Sequence, residues 1–393
     1  IPKLITAVIA ASVAAQPVVS ADIDGHLRPE YLEIKQRLAG GWNTWNTRSV
    51  LSPTLLPEGF GLNLAFKQVK WLDEPYLREV LFGRDDDDAH IRPGPHTLDG
   101  SYTRLDIQWQ QLWARVESAH AGDDLIVLVT PVTAQTLPVK MVVESALYWN
   151  RPGSLAKVTD NHLRATLPTR TVDVYATASH QEDFYVKTQT PYLVLTLEQA
   201  VGLSTGTPRT IEEIRELIDD AREEVEQTAA AHGELAEASI AVEAGIAWNL
   251  VYEPRFDRVV STVGRLWNEE YGGYCLFGWD NFVLAYMTSL FSRDLAFANV
   301  LEHLRGAVPD LLDSGCEAGD VDPGMDLDPG LLAGEVHHRR FHSLLLAEDA
   351  FDPHRTRRAR HALDVEGDGL GGGVAHVISS ERGRRIPALR WRP

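Results

Sequence analysis

The sequence predicts a two-part chain, β first and α afterwards, on three observations. From Leu32 to Leu203, short apolar runs recur between segments carrying Gly, Pro, Asn and Asp, which is the signature of strands in series. From Thr210 onward the apolar positions change to the 3.6-residue repeat of a helix. After Pro309 neither period is present. The 393 residues suffice for two or three domains with buried cores. The expected organisation is a signal segment over 1–21, a β-sandwich over 32–203, helices over 210–308 and a tail over 309–393.

At the N-terminus, Lys3 precedes an apolar run from Leu4 to Ala15, and Ser20 and Ala21 are small enough for a signal peptidase. The run is too short for a membrane span, so the expected destination is the periplasm or the exterior; a buried first helix is the alternative. With only Cys275 and Cys316, no disulfide framework is implied. A formal charge of −19 argues against nucleic acid or an anionic membrane as partner, since either is repelled before contact. Neutral partners remain. Ten Trp and eleven Tyr supply flat amphipathic faces that suit sugar rings, and equally a large core.

Within the β region, GFGLNLAF places Phe60, Leu62, Leu64 and Phe66 on one side of a strand, and RLDIQW does the same with Leu105, Ile107 and Trp109. Leu125–Val129, Val139–Val143 and Tyr192–Leu197 are further strand candidates. Many short strands in succession point to a sandwich. In the α region, Ile211, Ile214, Leu217, Ile218 and Val225 follow the helical repeat, and Thr210 with Glu213 has capping-box spacing. Gly233 reads as a stop, and the run from Glu234 as a second helix that Pro254 ends. Phe282–Leu290 and Leu295–Leu304 read as two more helices, with Ser292 or Asp294 capping the second. The segment from residue 309 holds three aromatics against 29 before it, too few for a core, and reads as disordered or frame-shifted.

One stretch carries chemistry. GGYCLFGWDNF, Gly272 to Phe282, sets Asp280 among Phe277, Trp279 and Phe282. Desolvation by rings favours the neutral acid and suits a proton donor. The plainer alternative is that Asp280 is the N-cap of the following helix.

The order Trp248-Asn249-x-x-Tyr252-x-Pro254, Arg258-Val259-x-Ser261, Arg265-x-Trp267, Gly272-Gly273-Tyr274 and Trp279-Asp280 resembles the opening of the catalytic domain in glycoside hydrolase family 63 and its mannosylglycerate-hydrolase-like relatives. GWNTWNTRSVLSPTLLPEGFGLNL and GPHTLDGSYT are similar to the N-terminal β-domain of bacterial members. The resemblance implies a β-sandwich followed by a toroid of six α-helical hairpins, here partial, and hydrolysis of an α-glucoside or α-mannoside with inversion. It implies Asp280 as general acid and a glycoside or oligosaccharide as substrate, with no cofactor. Trp248, Tyr252, Arg258, Arg265, Trp267, Tyr274, Phe277 and Trp279 become candidates for sugar contact, because aromatic faces stack on pyranose CH groups and Arg donates a fork of hydrogen bonds. Core packing or structural ion pairs are the alternative for each.

An inverting glycosidase also needs a carboxylate that activates water. The resemblance places that base on a Glu far downstream, and only Glu335 and Glu366 stand in the tail, without matching context. A full toroid needs on the order of 200 residues, whereas Glu234–Pro393 offers 160. The rival reading is therefore a non-catalytic carbohydrate-binding or structural remnant. Other constellations are weaker. Asp85–Asp88 lack EF-hand spacing for Ca²⁺, and His337, His338 and His342 have zinc-like spacing without a helix. GDGLGGG lacks the Lys-Ser/Thr of a phosphate loop, and no Gly-x-Ser-x-Gly elbow occurs.

Overall fold

Two antiparallel sheets stack face to face, and their inner side chains make one core. The structure, a computed structural model, describes residues 29–306 apart from 44–45, 47, 57, 69–74, 84–88, 135, 187, 255–256, 263, 267–272 and 275–277, together with 346–347. All of these belong to one compact unit, residues 1–352.

The strands in chain order are β1 (Trp42–Asn43), β2 (Thr54–Leu55), β3 (Phe60–Gln68), β4 (Tyr76–Leu77), β5 (Ala89–His96), β6 (Tyr102–Trp109), β7 (Leu112–Ala121), β8 (Asp124–Pro131) and β9 (Val139–Leu147). They continue as β10 (Ser154–Thr159), β11 (His162–Thr166), β12 (Thr171–Ala176), β13 (Tyr192–Thr196), β14 (Val201–Thr205), β15 (Leu250–Glu253), β16 (Arg258–Ser261), β17 (Gly273–Tyr274) and β18 (Leu346–Ala347). One sheet has the order β1-β2-β3-β9-β13, with β4 also on β3; the other runs β10-β11-β12-β14-β8-β7-β6-β5. β15 pairs with β16, and β17 with β18.

Period-two alternation explains the packing. The register sets Leu64 beside Val143 and Val143 beside Leu193 on the first sheet. On the second it aligns Leu105, Val116, Val129 and Val201 across four strands. These rungs face each other in one buried cluster, so each strand turns its apolar side inward. The five strand candidates named from sequence are all strands, four of them reaching a few residues further and the Tyr192–Leu197 run ending one residue earlier, at Thr196.

The helices are α1 (Pro29–Gly40), α2 (Ile211–Ala230), α3 (Ala236–Ala247), α4 (Gly278–Thr288) and α5 (Arg293–Gly306). The capping box of α2 forms as the spacing predicts: the Glu213 N–H donates to Thr210 Oγ1 at 3.2 Å, and the Thr210 N–H donates to Glu213 Oε2 at 2.7 Å. Ile214 and Ile218 press this helix onto Tyr102, Ala119, Ile126 and Leu128 on the outer face of the larger sheet. Gly202 permits the approach, since a Cβ there would meet Ile214 Cδ1 at 2.6 Å.

Three expectations are corrected. No helical toroid is formed among the described residues: after the sandwich come α2 on the outer face of the larger sheet, α3 against β5, a β-hairpin, and the helix pair α4–α5. The second helix stops at Ala247 and not at Pro254, because Leu250–Glu253 pairs with Arg258–Ser261 and every residue of both strands is buried. Helix α1 falls inside the region read as strands; Tyr31 and Leu38 are its buried residues. The tail beyond β18, with Glu366 and GDGLGGG, lies outside the described residues, as do Glu335, His337, His338, His342, Asp85–Asp88 and the N-terminal run. No described helix is long and apolar enough to cross a membrane.

Candidate active site around Asp280

The hairpin β15–β16 is the frame of the site. Ser261 at its end points its backbone away from Leu250, its partner in register. Its N–H donates to Asn299 Oδ1 of α5 at 3.1 Å, and its carbonyl accepts from Asn281 Nδ2 of α4. Two asparagines thus satisfy an open strand edge that burial would otherwise penalise. Asn281 adjoins Asp280, so this bond fixes where the first turn of α4 stands.

Asp280 is the third residue of α4 and half-buried. It is therefore inside the first turn, three positions beyond the N-cap, and is not the cap itself. Desolvation raises its carboxyl above the usual range, partly offset by its own backbone N–H. A helix N-terminus favours the anion; the net shift is nevertheless upward, the direction a proton donor needs. On α5, Ser292 is the cap: its Oγ accepts from the Leu295 N–H at 3.1 Å.

The four other nominated residues with described side chains are tied into the protein. Trp248 caps the C-terminus of α3, is 3% exposed, donates from Nε1 to the Gly94 carbonyl at 3.2 Å, and meets Phe82 and His96 edge-on at 5.1 and 4.6 Å. Arg265 donates from Nε to the Trp248 carbonyl at 2.7 Å and from Nη1 to the Asn46 carbonyl at 3.2 Å. It thereby holds the negative end of α3. Arg258 donates to Glu253 Oε2 at 2.6 Å, a register pair of the hairpin, and to the Glu302 carbonyl at 3.0 Å. Tyr252 donates to Asp257 Oδ1 at 2.8 Å; burial, then that carboxylate, pushes its phenol up to about 12. These bonds join β5, the end of α3, the hairpin and α5. Trp267 and Phe277 lie outside the described residues, and of Tyr274 and Trp279 only the backbone is described, in β17 and the first turn of α4.

Sequence reasoning missed Asn281 and Asn299. Their only local signal is a polar amide at the start of one apolar helix and inside another, with no hint of the strand edge each serves. Among the described residues, no group of three His, Cys, Asp or Glu is placed to hold a metal ion.

No protein-family model and no curated protein matches the chain. Among solved structures it is similar to a polysaccharide lyase, at 12% identity and a TM-score of 0.26 over 47% of this chain and 35% of that one. It is also similar to a protein described as a kojibiose phosphorylase from human microbiome, at 10% identity and a TM-score of 0.22 over 67% of this chain and 41% of that one. The chain thus spans well under half the length of either structure.

Proposed function

We propose that the chain belongs to a carbohydrate-processing enzyme that cleaves an α-glucosidic or α-mannosidic bond with inversion, and that Asp280 is its general acid. The observation that carries this reading is the Asp280 carboxyl, raised by desolvation in the first turn of a helix whose dipole acts the other way. The order of residues from Trp248 to Asp280 supports the reaction class. In that reaction the neutral acid protonates the glycosidic oxygen as the C–O bond breaks. A carboxylate roughly 6.5–9.5 Å away takes a proton from the attacking water. The run Leu4–Ala15 supports export to the periplasm or beyond.

The second reading, a carbohydrate-binding or structural chain without turnover, draws on a specific observation: Trp248, Arg258 and Arg265 are each 3% exposed and bonded to protein groups. Kinetics with α-linked glucobioses and mannobioses separates the two. Asp280→Asn is expected to lower kcat about 100- to 10,000-fold with KM changed little. The loss should shrink on aryl glycosides, whose leaving groups need no proton. Wild-type activity should decline as pH rises through the Asp280 pKa, because the proton to be donated is then gone. Turnover undiminished in Asp280→Asn removes the assignment, and an inert wild-type chain leaves the second reading in place.

A further inference from the structure

An open cleft of about 450 Å³ lies at the β6–β7 turn of the larger sheet, lined on the outer face by His90, Gln108 and Trp113 and at the turn by Gln110, Gln111 and the inward-facing Trp109 and Leu112. Its floor is fixed by register. His90 pairs with Gln108 and Gln108 with Trp113, so the three stand in one row on the same face. Helix α2 covers this face at the end where Tyr102, Ala119, Ile126 and Leu128 lie, and reaches Glu117 through Arg222. The row at the opposite end is left open. Trp113 is 39% exposed although Trp109, which faces the other way, is 3% exposed. The rim is the β6–β7 turn, where Gln110 holds φ of 54°. A two-residue hairpin turn of this kind normally takes Gly, and positive φ is uncommon for Gln. Such backbone strain concentrates at ligand sites.

The lining chemistry names the ligand. An indole face accepts the CH side of a pyranose ring; the amide of Gln108 offers donor and acceptor, as a hydroxyl does, and Gln111, whose Oε1 already accepts from Thr136 Oγ1, offers its NH₂. Among the described residues, no carboxylate, Lys or Arg lines the cleft. In the next row Asp106 accepts from Arg104 at 2.9 Å and Arg115 at 3.1 Å, with Arg92 beside it in register; this leaves a net positive charge there, but none of these side chains lines the cleft. We infer that this cleft binds a neutral oligosaccharide chain, with Trp113 as stacking platform and Gln108 as hydrogen-bonding partner. It is a site of attachment separate from Asp280, and it stands whether or not Asp280 is catalytic.

Native electrophoresis of the full chain in gels containing amylose, galactomannan, hydroxyethyl cellulose or xylan tests this, with pectate and chitosan as charged controls. At least one neutral polymer should retard the wild type. Trp113→Ala should weaken that retardation at least tenfold and Gln108→Ala severalfold, while Asp280→Asn leaves it unchanged. Circular dichroism checks folding, and if Trp113→Ala is misfolded, Trp113→Phe and Gln108→Ala decide. Retardation by no neutral polymer, by a charged polymer alone, or equally in the folded variants overturns the proposal.

Discussion

At the scale of single residues, the buried charges are placed by neighbours far along the chain. Lys67 and Lys140 both donate to Asp183, at 2.7 and 2.9 Å, on the outer side of the smaller sheet. Burial acts to raise the Asp183 carboxyl, yet the two lysine hydrogen bonds prevail and hold it at about 2. Asp183→Ala should therefore cost about 3–5 kcal/mol in urea denaturation, because two ammonium groups lose a shared carboxylate. Lys67→Met combined with Asp183→Leu should lose less than the single change. None of this was legible locally, since Lys67 and Asp183 stand 116 residues apart in the chain. The same holds at the candidate site. Asp280 stood out because its aromatic neighbours adjoin it in sequence. Trp248 and Arg265 looked like sugar ligands because nothing local shows that one covers β5 and the other binds the end of α3.

Elements were legible where the stabilising contacts are short-range. The capping box of α2 joins residues three apart, and both of its hydrogen bonds form. Thr210→Ala is expected to destabilise the protein by about 1 kcal/mol, seen as a lower urea midpoint with unchanged slope. Two sandwich strands, at Phe60–Phe66 and Leu105–Trp109, were likewise announced by alternation, and three more by short apolar runs between turn residues. Leu250–Glu253 was misread for the converse reason. Four buried residues in a row carry no alternation to tell strand from helix, and only pairing with Arg258–Ser261 decides.

At the scale of the whole molecule, the sandwich and its attached helices respond to acid as one structure. Burial depresses His96 from 6.5 to about 4, helped by Arg265 and His120 and opposed by its bond to Thr97. His120 and His180 are lowered as well, by burial first. The unfolded chain thus binds protons that the native one refuses. The stability contribution of His96 is full above pH 6.5 and is lost as pH falls towards 4, about 3 kcal/mol in all. Asp280 and Glu243, raised by burial, act in the opposite sense. Urea unfolding at pH 7, 5.5 and 4.5 should show a steeper acid loss in wild type than in His96→Gln. Equal slopes would mean that His96 is protonated in the native state.

By itself the sequence determined five of the sandwich strands and the capped helix α2, because periodicity and capping act within a few residues. Only the tertiary structure decided that the later helices form no toroid, that the nominated arginines bind internal carbonyls, and that His90, Gln108 and Trp113 share a row. Those outcomes depend on strand register and on hydrogen bonds between distant segments, which leave no pattern in any one stretch of chain.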